Sequence, residues 1–419
     1  MHAMRMTLCV RAWSLTVVGL LMAASGVPIG AQQPATPGRD ANGNPIRRAT
    51  RTGHVSNYDE TKVPPYTLPD PLVFADGTPV RTARDWTTRR RAELIRIYER
   101  DIFGRIPAAA PRVTWRVTED HGPRKLVVGT IGDGADAPRI NLTLNLPPNA
   151  RGRVPVILIL GFGGGGAPVD DPPVAADILR RGWGYAKAGY QDIQPDRINT
   201  FDRGVIGAAA TTPAADEWGT ISAWAWGASR IVDYLQSDKA VDGARIALFG
   251  HSRLGKTALW ASALDPRIAA VFASCPGEMG AALSRRDWGE TVDDMVQTFP
   301  YWFARSFDKW AGHWNDMPVD AHTLIALSAP RPVFVTGGTA DQWADPVGEF
   351  LALAAAGPVY RLLGRKDLGV ATLPPLDTAV IDGDLGWHYH TGPHAATAAD
   401  WQAFLTFYGE SLKRARPGA

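Results

Sequence analysis

Residues 245–264 read RIALFGHSRLGKTALWASAL, and the fold turns on them. Ile246–Phe249 is a short apolar run closed by Gly250, and from Leu254 the apolar residues recur at helical spacing. A strand therefore passes into a helix across Gly250-His251-Ser252-Arg253. A serine in such a turn, with glycine two positions before it, matches the strained strand-turn-helix that lifts a nucleophilic hydroxyl above a sheet. The usual pattern wants its second glycine at 254; here Leu254 stands there and the glycine falls at 255. An ordinary strand-to-helix turn reads the same way, so the motif needs partners elsewhere in the chain.

Working outward, VPVILIL at 154–160 is a continuous apolar run, the pattern of a strand covered on both faces, and it enters Gly161-Phe162-Gly163-Gly164-Gly165-Gly166. Before it, Arg112–Thr118, Lys125–Ile131 and Ile140–Leu146 alternate apolar with polar residues between Gly, Pro and Asp turns, which predicts opening antiparallel strands. Helices are predicted over Arg84–Phe103, ended by Gly104, and over Ala215–Leu235. Ile268–Ala273 and Pro332–Thr336 are further strands, and Trp401–Leu412 closes the chain as a helix with Thr397 and Asp400 as its capping pair. Strands alternating with helices predict a three-layer αβα sandwich around a mostly parallel sheet.

The chain has 419 residues, with 44 Lys and Arg against 42 Asp and Glu, a balance that argues against a nucleic-acid binder. Hydrophobic residues at 45% and charged residues at 21% give the ordinary composition of a globular chain with a sizeable core. Residues 1–31 carry Arg5 and Arg11, the apolar run Trp13–Ala24 and then small residues, the order of a secretory signal with cleavage after Ala31. The protein is thus expected to be exported, with no membrane association once the signal is cut, to the periplasm or beyond. Of the two cysteines, Cys9 lies in that signal and Cys275 does not, which leaves the mature chain no disulfide. Residues 32–56, rich in Pro, Gly, Asn, Thr and Arg, read as a disordered linker. Residues 57–419 show no second such gap and read as a single catalytic domain.

A serine hydroxyl is a poor nucleophile until a base takes its proton, so an acid and then a histidine are sought downstream. Asp341 follows the strand Pro332–Thr336, 89 residues after Ser252. His394 follows an extended stretch, Trp387–Thr391, and precedes the last helix. His388 and His390 compete for the base, although both suit packing or hydrogen-bonding roles. Asp345 and Glu278 compete for the acid, Asp345 being equally suited to capping the helix that follows.

Several blocks then make a resemblance specific: GHSRLGKTALW at 250–260, AALSRRDWGETV at 281–292, PVDAHTLIALSAPRPVFV at 318–335, DQWADPVGEF at 341–350 and HTGPH at 390–394. With NYDETKVPPYTLPDPL at 57–72 and EWGTISAWAWGASRIVDYL at 217–235, they resemble the bacterial branch of the glucuronoyl esterase family along nearly the whole chain after residue 56. The resemblance implies an exported serine esterase of the α/β-hydrolase fold that needs no cofactor and no metal. Its substrate would be the ester joining 4-O-methyl-glucuronic acid of glucuronoxylan to lignin alcohols, and a monomer is expected to act on it.

Position by position, the resemblance implies Ser252 as nucleophile, His394 as general base and Arg253 as a cation facing the oxyanion. A positive charge at the start of a helix is disfavoured by the dipole, so Arg253 is better explained by function than by stability. Lys256, Glu290 and Trp343 match sugar-contacting positions; a lysine, a glutamate and an indole N–H supply both donors and acceptors for vicinal hydroxyls. The fungal members place their acid where this chain has Cys275. Asp341 matches the later acid of bacterial relatives, with Glu278 in reserve. The glycine run 161–166 stands where relatives carry a more polar loop, and its backbone N–H groups remain available to an oxyanion. Another exported carboxylesterase, such as a xylan deacetylase, is the alternative reading, and a non-catalytic polysaccharide-binding protein on the same scaffold is a third.

Overall fold

A computed structural model describes residues 38–414. The expected signal, residues 1–31, lies outside the described residues. A short hairpin, β1 (Gly38–Arg39) and β2 (Pro45–Ile46), precedes a nine-stranded sheet. Its strands are β3 (Val113–Asp120), β4 (Arg124–Ile131), β5 (Arg139–Asn145), β6 (Val154–Gly161), β7 (Gly184–Gly189), β8 (Val241–His251), β9 (Ile268–Ser274), β10 (Val333–Gly338) and β11 (Leu385–His390). They lie in the order β3-β4-β5-β7-β6-β8-β9-β10-β11. The pairs from β3 to β7 are antiparallel, and from β7 through β11 every pair is parallel. This is the α/β-hydrolase architecture expected from the sequence.

The apolar runs divide between two layers because successive side chains leave a strand on opposite faces. Val156, Leu158 and Leu160 of β6, with Ile246 and Leu248 of β8, join the core under the helices Thr220–Ser237 and Arg253–Leu264. Ile157 and Ile159 of β6, Ala247 and Phe249 of β8 and Phe272 of β9 face the other way, onto Trp401, Phe404 and Phe407 of the final helix, Ala398–Arg414. Burying an aliphatic or aromatic side chain on either face stabilises the fold by roughly 1.5–3 kcal/mol.

Three segments depart from the sequence reading. Strand β7, GYAKAG, has glycine at both ends and little β-branched character, and it forms because β5 and β6 pair with it on either side. The helix expected over 215–235 starts at Thr220: Arg105 N–H bonds to the Asp216 carbonyl and Gly219 N–H to that of Phe103, which keeps 216–219 out of the helix. Gly104 permits the approach, since a Cβ there would meet the Glu217 carbonyl oxygen at 2.2 Å.

The third is the expected linker, which needs correcting from Gly38 onward. Residues 38–56 form an arm packed on the domain: Thr50 accepts no freedom as a linker but bonds Gln297 through backbone and hydroxyl, and Thr52 Oγ1 bonds Asp293 at 2.6 Å. His54 sits 2.6 Å from Asp287 and edge-on to Trp314. Local polar composition hid these contacts because their partners lie more than two hundred residues away. Burial pushes the His54 imidazole down, but Asp287, with Asp293 and Asp294 behind it, outweighs burial and holds it above the ordinary value. A raised pKa contributes stability that is complete below about pH 6.5 and is lost as pH rises through the folded-state value. The melting-temperature gap between the wild type and His54→Asn is therefore expected to be widest at acid pH and to shrink on the alkaline side. A gap independent of pH would refute the clamp.

Candidate active site

The C-terminal ends of β8, β9, β10 and β11 assemble the expected residues. At the end of β8, Ser252 has φ 58° and ψ −127°, a conformation L-residues rarely adopt, and its N–H donates to the Ser274 carbonyl at 2.8 Å. A Cβ on Gly250 would lie 1.9 Å from the Leu254 carbonyl oxygen, so the turn folds back so tightly that only glycine fits two residues before the serine. The second glycine is shifted for a local reason: at 255 the helix meets Pro276, where a Cβ would stand 3.1 Å from the proline Cβ, while Leu254 is buried. The Ser252 hydroxyl has no hydrogen bond among the described contacts, a looseness common in nucleophiles before substrate binds.

Asp341 and His394 meet across two loops. Thr339 N–H donates to the His390 carbonyl, Ala340 N–H to that of Gly392, and Gly392 N–H returns to the Thr339 hydroxyl, all within 3.0 Å. So pinned, His394 Nδ1 lies 2.5 Å from Asp341 Oδ2, with the acid buried and the imidazole 40% exposed. The His394 ring rests 4.5 Å, centroid to centroid, from that of His251, the residue before Ser252. Burial, with His394 beside it, pushes His251 down to about 3, which keeps it neutral, and its Nδ1 faces the Ser274 hydroxyl at 3.1 Å.

The competitors are engaged elsewhere. His388 and His390 both turn Nδ1 to Asp400 Oδ1, at 2.6 and 3.2 Å, and Asp400 also receives Thr397 at the start of the last helix. Burial would raise Asp400, but these bonds hold it at about 2, so one carboxylate ties β11 to the final helix. Glu278 is buried and accepts from Ser284 Oγ at 2.6 Å, and burial pushes its carboxyl well above the usual range. Asp345 caps the following helix through Gly348 N–H and binds Arg286 Nε, each at 2.9 Å.

Arg253 is held by a carboxylate that the sequence did not single out. Its guanidinium is hydrogen-bonded to Asp196 and lies 4.8 Å from the Trp302 ring centroid and 5.8 Å from that of Phe162. Asp196 also accepts from the Tyr190 and Tyr301 hydroxyls at 3.0 Å and from Trp302 Nε1 at 2.8 Å. Among the glycines, Gly163 to Gly166 have φ of 157°, 89°, 60° and 99°, and a Cβ on Gly189 would strike Gly164 N at 2.2 Å. The run is thus a backbone that lies flush on β7, with half-exposed Phe162 at its mouth.

Lys256 is buried, donates to the Pro276 carbonyl at 2.6 Å and stands 4.0 Å from Glu290. Burial lowers the lysine and raises the glutamate, and each charge opposes the other's shift. Glu290 N–H bonds the Trp343 carbonyl at 2.9 Å, which sets the two side by side. Arg47 of the arm covers the Trp343 ring at 4.7 Å, a contact no local pattern announces. Glu349 accepts from Gly277 N–H at 2.7 Å, and its other oxygen is buried without a partner among the described residues. Among the described residues, Cys275, Asp341 and His394 bring a sulfur, an oxygen and a nitrogen within 4.8 Å of one another, a donor set a metal could use. Burial raises the Cys275 thiol well above its ordinary value, which disfavours the thiolate a metal would take.

Comparison with known proteins shows the family of the chain. The family model for glucuronyl esterase, fungi, matches residues 130–364. A carbohydrate esterase from an unknown prokaryotic organism is 38% identical over 84% of this chain and 91% of its own. The 4-O-methyl-glucuronoyl methylesterase of Phanerochaete carnosa is 33% identical over 72% of this chain and 73% of its own. Among solved structures, a glucuronoyl esterase from Solibacter usitatus superposes with a TM-score of 0.78 at 38% identity, covering 83% of this chain and 99% of that one. With the family model spanning more than half of its length, the chain belongs to the glucuronoyl esterase family and is a carboxylic ester hydrolase.

Proposed function

We propose that this enzyme hydrolyses the ester between (4-O-methyl-)glucuronic acid of glucuronoxylan and lignin alcohols through a Ser252-His394-Asp341 acyl-enzyme mechanism. The observation that carries it is the 2.5 Å bond from His394 Nδ1 to buried Asp341, which leaves Nε2 to accept a proton on a ring 4.5 Å from that of His251, the neighbour of Ser252. Ser252 Oγ attacks the uronate carbonyl as its proton passes to His394, and the alcohol departs carrying that proton. Water, deprotonated by His394, then attacks the acyl-enzyme carbonyl; the bond to Ser252 Oγ breaks, His394 returns the proton to that oxygen, and the uronic acid is released. Arg253 meets the negative charge that develops on the carbonyl oxygen, and Lys256, Glu290 and Trp343 receive the sugar hydroxyls. No step calls for a metal or cofactor.

Arg253→Lys is expected to lower kcat about 10²–10³-fold, because an ammonium cannot keep both the Asp196 bond and the oxyanion contact. Asp196→Ala should lower kcat less, with KM nearly unchanged. A larger effect on KM than on kcat for both variants would move Arg253 from the oxyanion to ground-state binding.

We further propose residues 1–31 as the export signal, 57–419 as one catalytic domain to which the arm belongs, and action as a monomer outside the cytoplasm. The reading is tested by assaying the purified protein on methyl or benzyl glucuronate, acetylated xylan and an aryl acetate. Preference for the uronate ester is expected. Turnover of the acetates alone would retain the esterase and discard the uronate, and no turnover of any ester would favour a binding protein.

A further inference from the structure

At the opposite end of the sheet from Ser252, the parallel strands begin in a field of arginines. Arg153 precedes β6, Arg181 precedes β7, Arg245 lies in the early part of β8, Arg267 precedes β9 and Arg331 precedes β10. A cavity of about 510 Å³ opens there, lined by Arg245, Arg267, Arg331, Arg365 and Arg414 with Asp384 as the acid among them. Part of this charge is neutralised: Arg267 pairs with Asp265 and Asp233, Arg414 with Asp384 at 3.0 Å, and Arg245 with Asp242 at 3.3 Å. Arg331 instead gives its guanidinium to the carbonyls of Ser262, Asp265 and Ile268, and Arg365 has no carboxylate within ion-pair distance among the described residues. Cations at helix C-termini are common for stability, which accounts for Arg331.

It does not account for Tyr408. This residue is 1% exposed and lines the same cavity, and its hydroxyl has no hydrogen-bond partner among the described residues. A buried hydroxyl left unsatisfied costs free energy, so one lining the same cavity as Arg365, which has no carboxylate partner among the described residues, points to an acceptor that arrives with a ligand. A second groove, with Arg153, Arg181 and Lys413 against Glu410, adjoins the first through Arg245 and Leu412. The chain as a whole carries only +2, so the excess is local and lacks the broad field that holds nucleic acid.

We propose that this cavity binds the carboxylate of a uronic acid on a polysaccharide, a second attachment point remote from the catalytic serine. The choice of sugar acid rests on the function proposed above: each turnover turns a neutral ester into a free uronate on the polymer, so the chain that has been processed becomes the ligand. Its carboxylate takes the Tyr408 hydroxyl and the Arg365 guanidinium, and the cavity volume admits a sugar residue. A second site of this kind keeps the enzyme on its polymer between turnovers by raising local concentration.

The test is calorimetric titration of full-length Ser252→Ala with a glucuronate-bearing xylo-oligosaccharide free of ester, beside the neutral xylo-oligosaccharide and inorganic phosphate. Adding Tyr408→Phe or Arg365→Gln is expected to weaken binding of the acidic oligosaccharide about tenfold. Tyr408→Phe should leave the melting temperature unchanged, since the lost hydroxyl has no partner among the described residues. In the Ser252 background, both substitutions should leave hydrolysis of methyl glucuronate unaltered. Binding indifferent to both substitutions, equal binding of the neutral oligosaccharide, or tighter binding of phosphate would overturn the proposal. Tyr408-dependent binding without uronate-ester hydrolysis would uphold this site and refute the catalytic reading instead.

Discussion

Ser252→Ala is expected to lower kcat on a glucuronate ester about a millionfold, the scale lost when a serine nucleophile is removed from a working triad. Without Oγ no acyl-enzyme forms, and what survives is the pull of Arg253 and nearby N–H groups on a carbonyl attacked by water. The substitution should leave the protein otherwise intact. The strained φ of 58° is held by the backbone bond to Ser274, which alanine retains, and the hydroxyl gives up no hydrogen bond. An unchanged melting temperature with turnover gone is thus the expected pair of results. Residual kcat within a hundredfold of wild type would show that Ser252 is not the nucleophile.

The strand, turn and helix around Ser252 were legible because their signals are local. Apolar runs, Gly250 and the helical spacing after Leu254 fall within twenty residues, and the geometry they demand is the one observed. Likewise Thr397 and Asp400 lie one turn apart, and each bonds the other's backbone N–H. Residues whose role depends on distant partners were not legible. Asp196 sits in a loop of unremarkable composition and matters only because Arg253, Tyr190, Tyr301 and Trp302 converge on it. Arg47 reads as one basic residue in a polar stretch, yet it lies over Trp343 nearly three hundred positions away. Strand β7 was hidden by its glycines: Gly189 lets the loop at Gly164 pass close, and Gly184 lies against the Asn145 carbonyl of β5. A chain reports its own local preferences, and tertiary contacts override or complete them.

Asp341→Asn should cost about 10⁴-fold in kcat, nearly as much as Asp341→Ala, although asparagine preserves the shape. The reason lies in the proton on His394. With a carboxylate at 2.5 Å, Nδ1 carries the hydrogen and Nε2 is left as the base. An amide that donates its N–H to Nδ1 puts the proton on Nε2 instead, and the ring then cannot receive the Ser252 proton. The imidazolium formed during attack also loses its compensating charge. Glu278→Gln provides the contrast: its carboxyl is buried and accepts from the Ser284 hydroxyl, a bond that the amide oxygen can keep. Its kcat is expected to remain close to wild type. The ranking decides the acid, because Cys275 at the neighbouring position offers a thiol that burial keeps protonated. A greater loss in Glu278→Gln than in Asp341→Asn, at equal melting temperature, would transfer the role to Glu278 and require His394 to turn toward it on binding substrate.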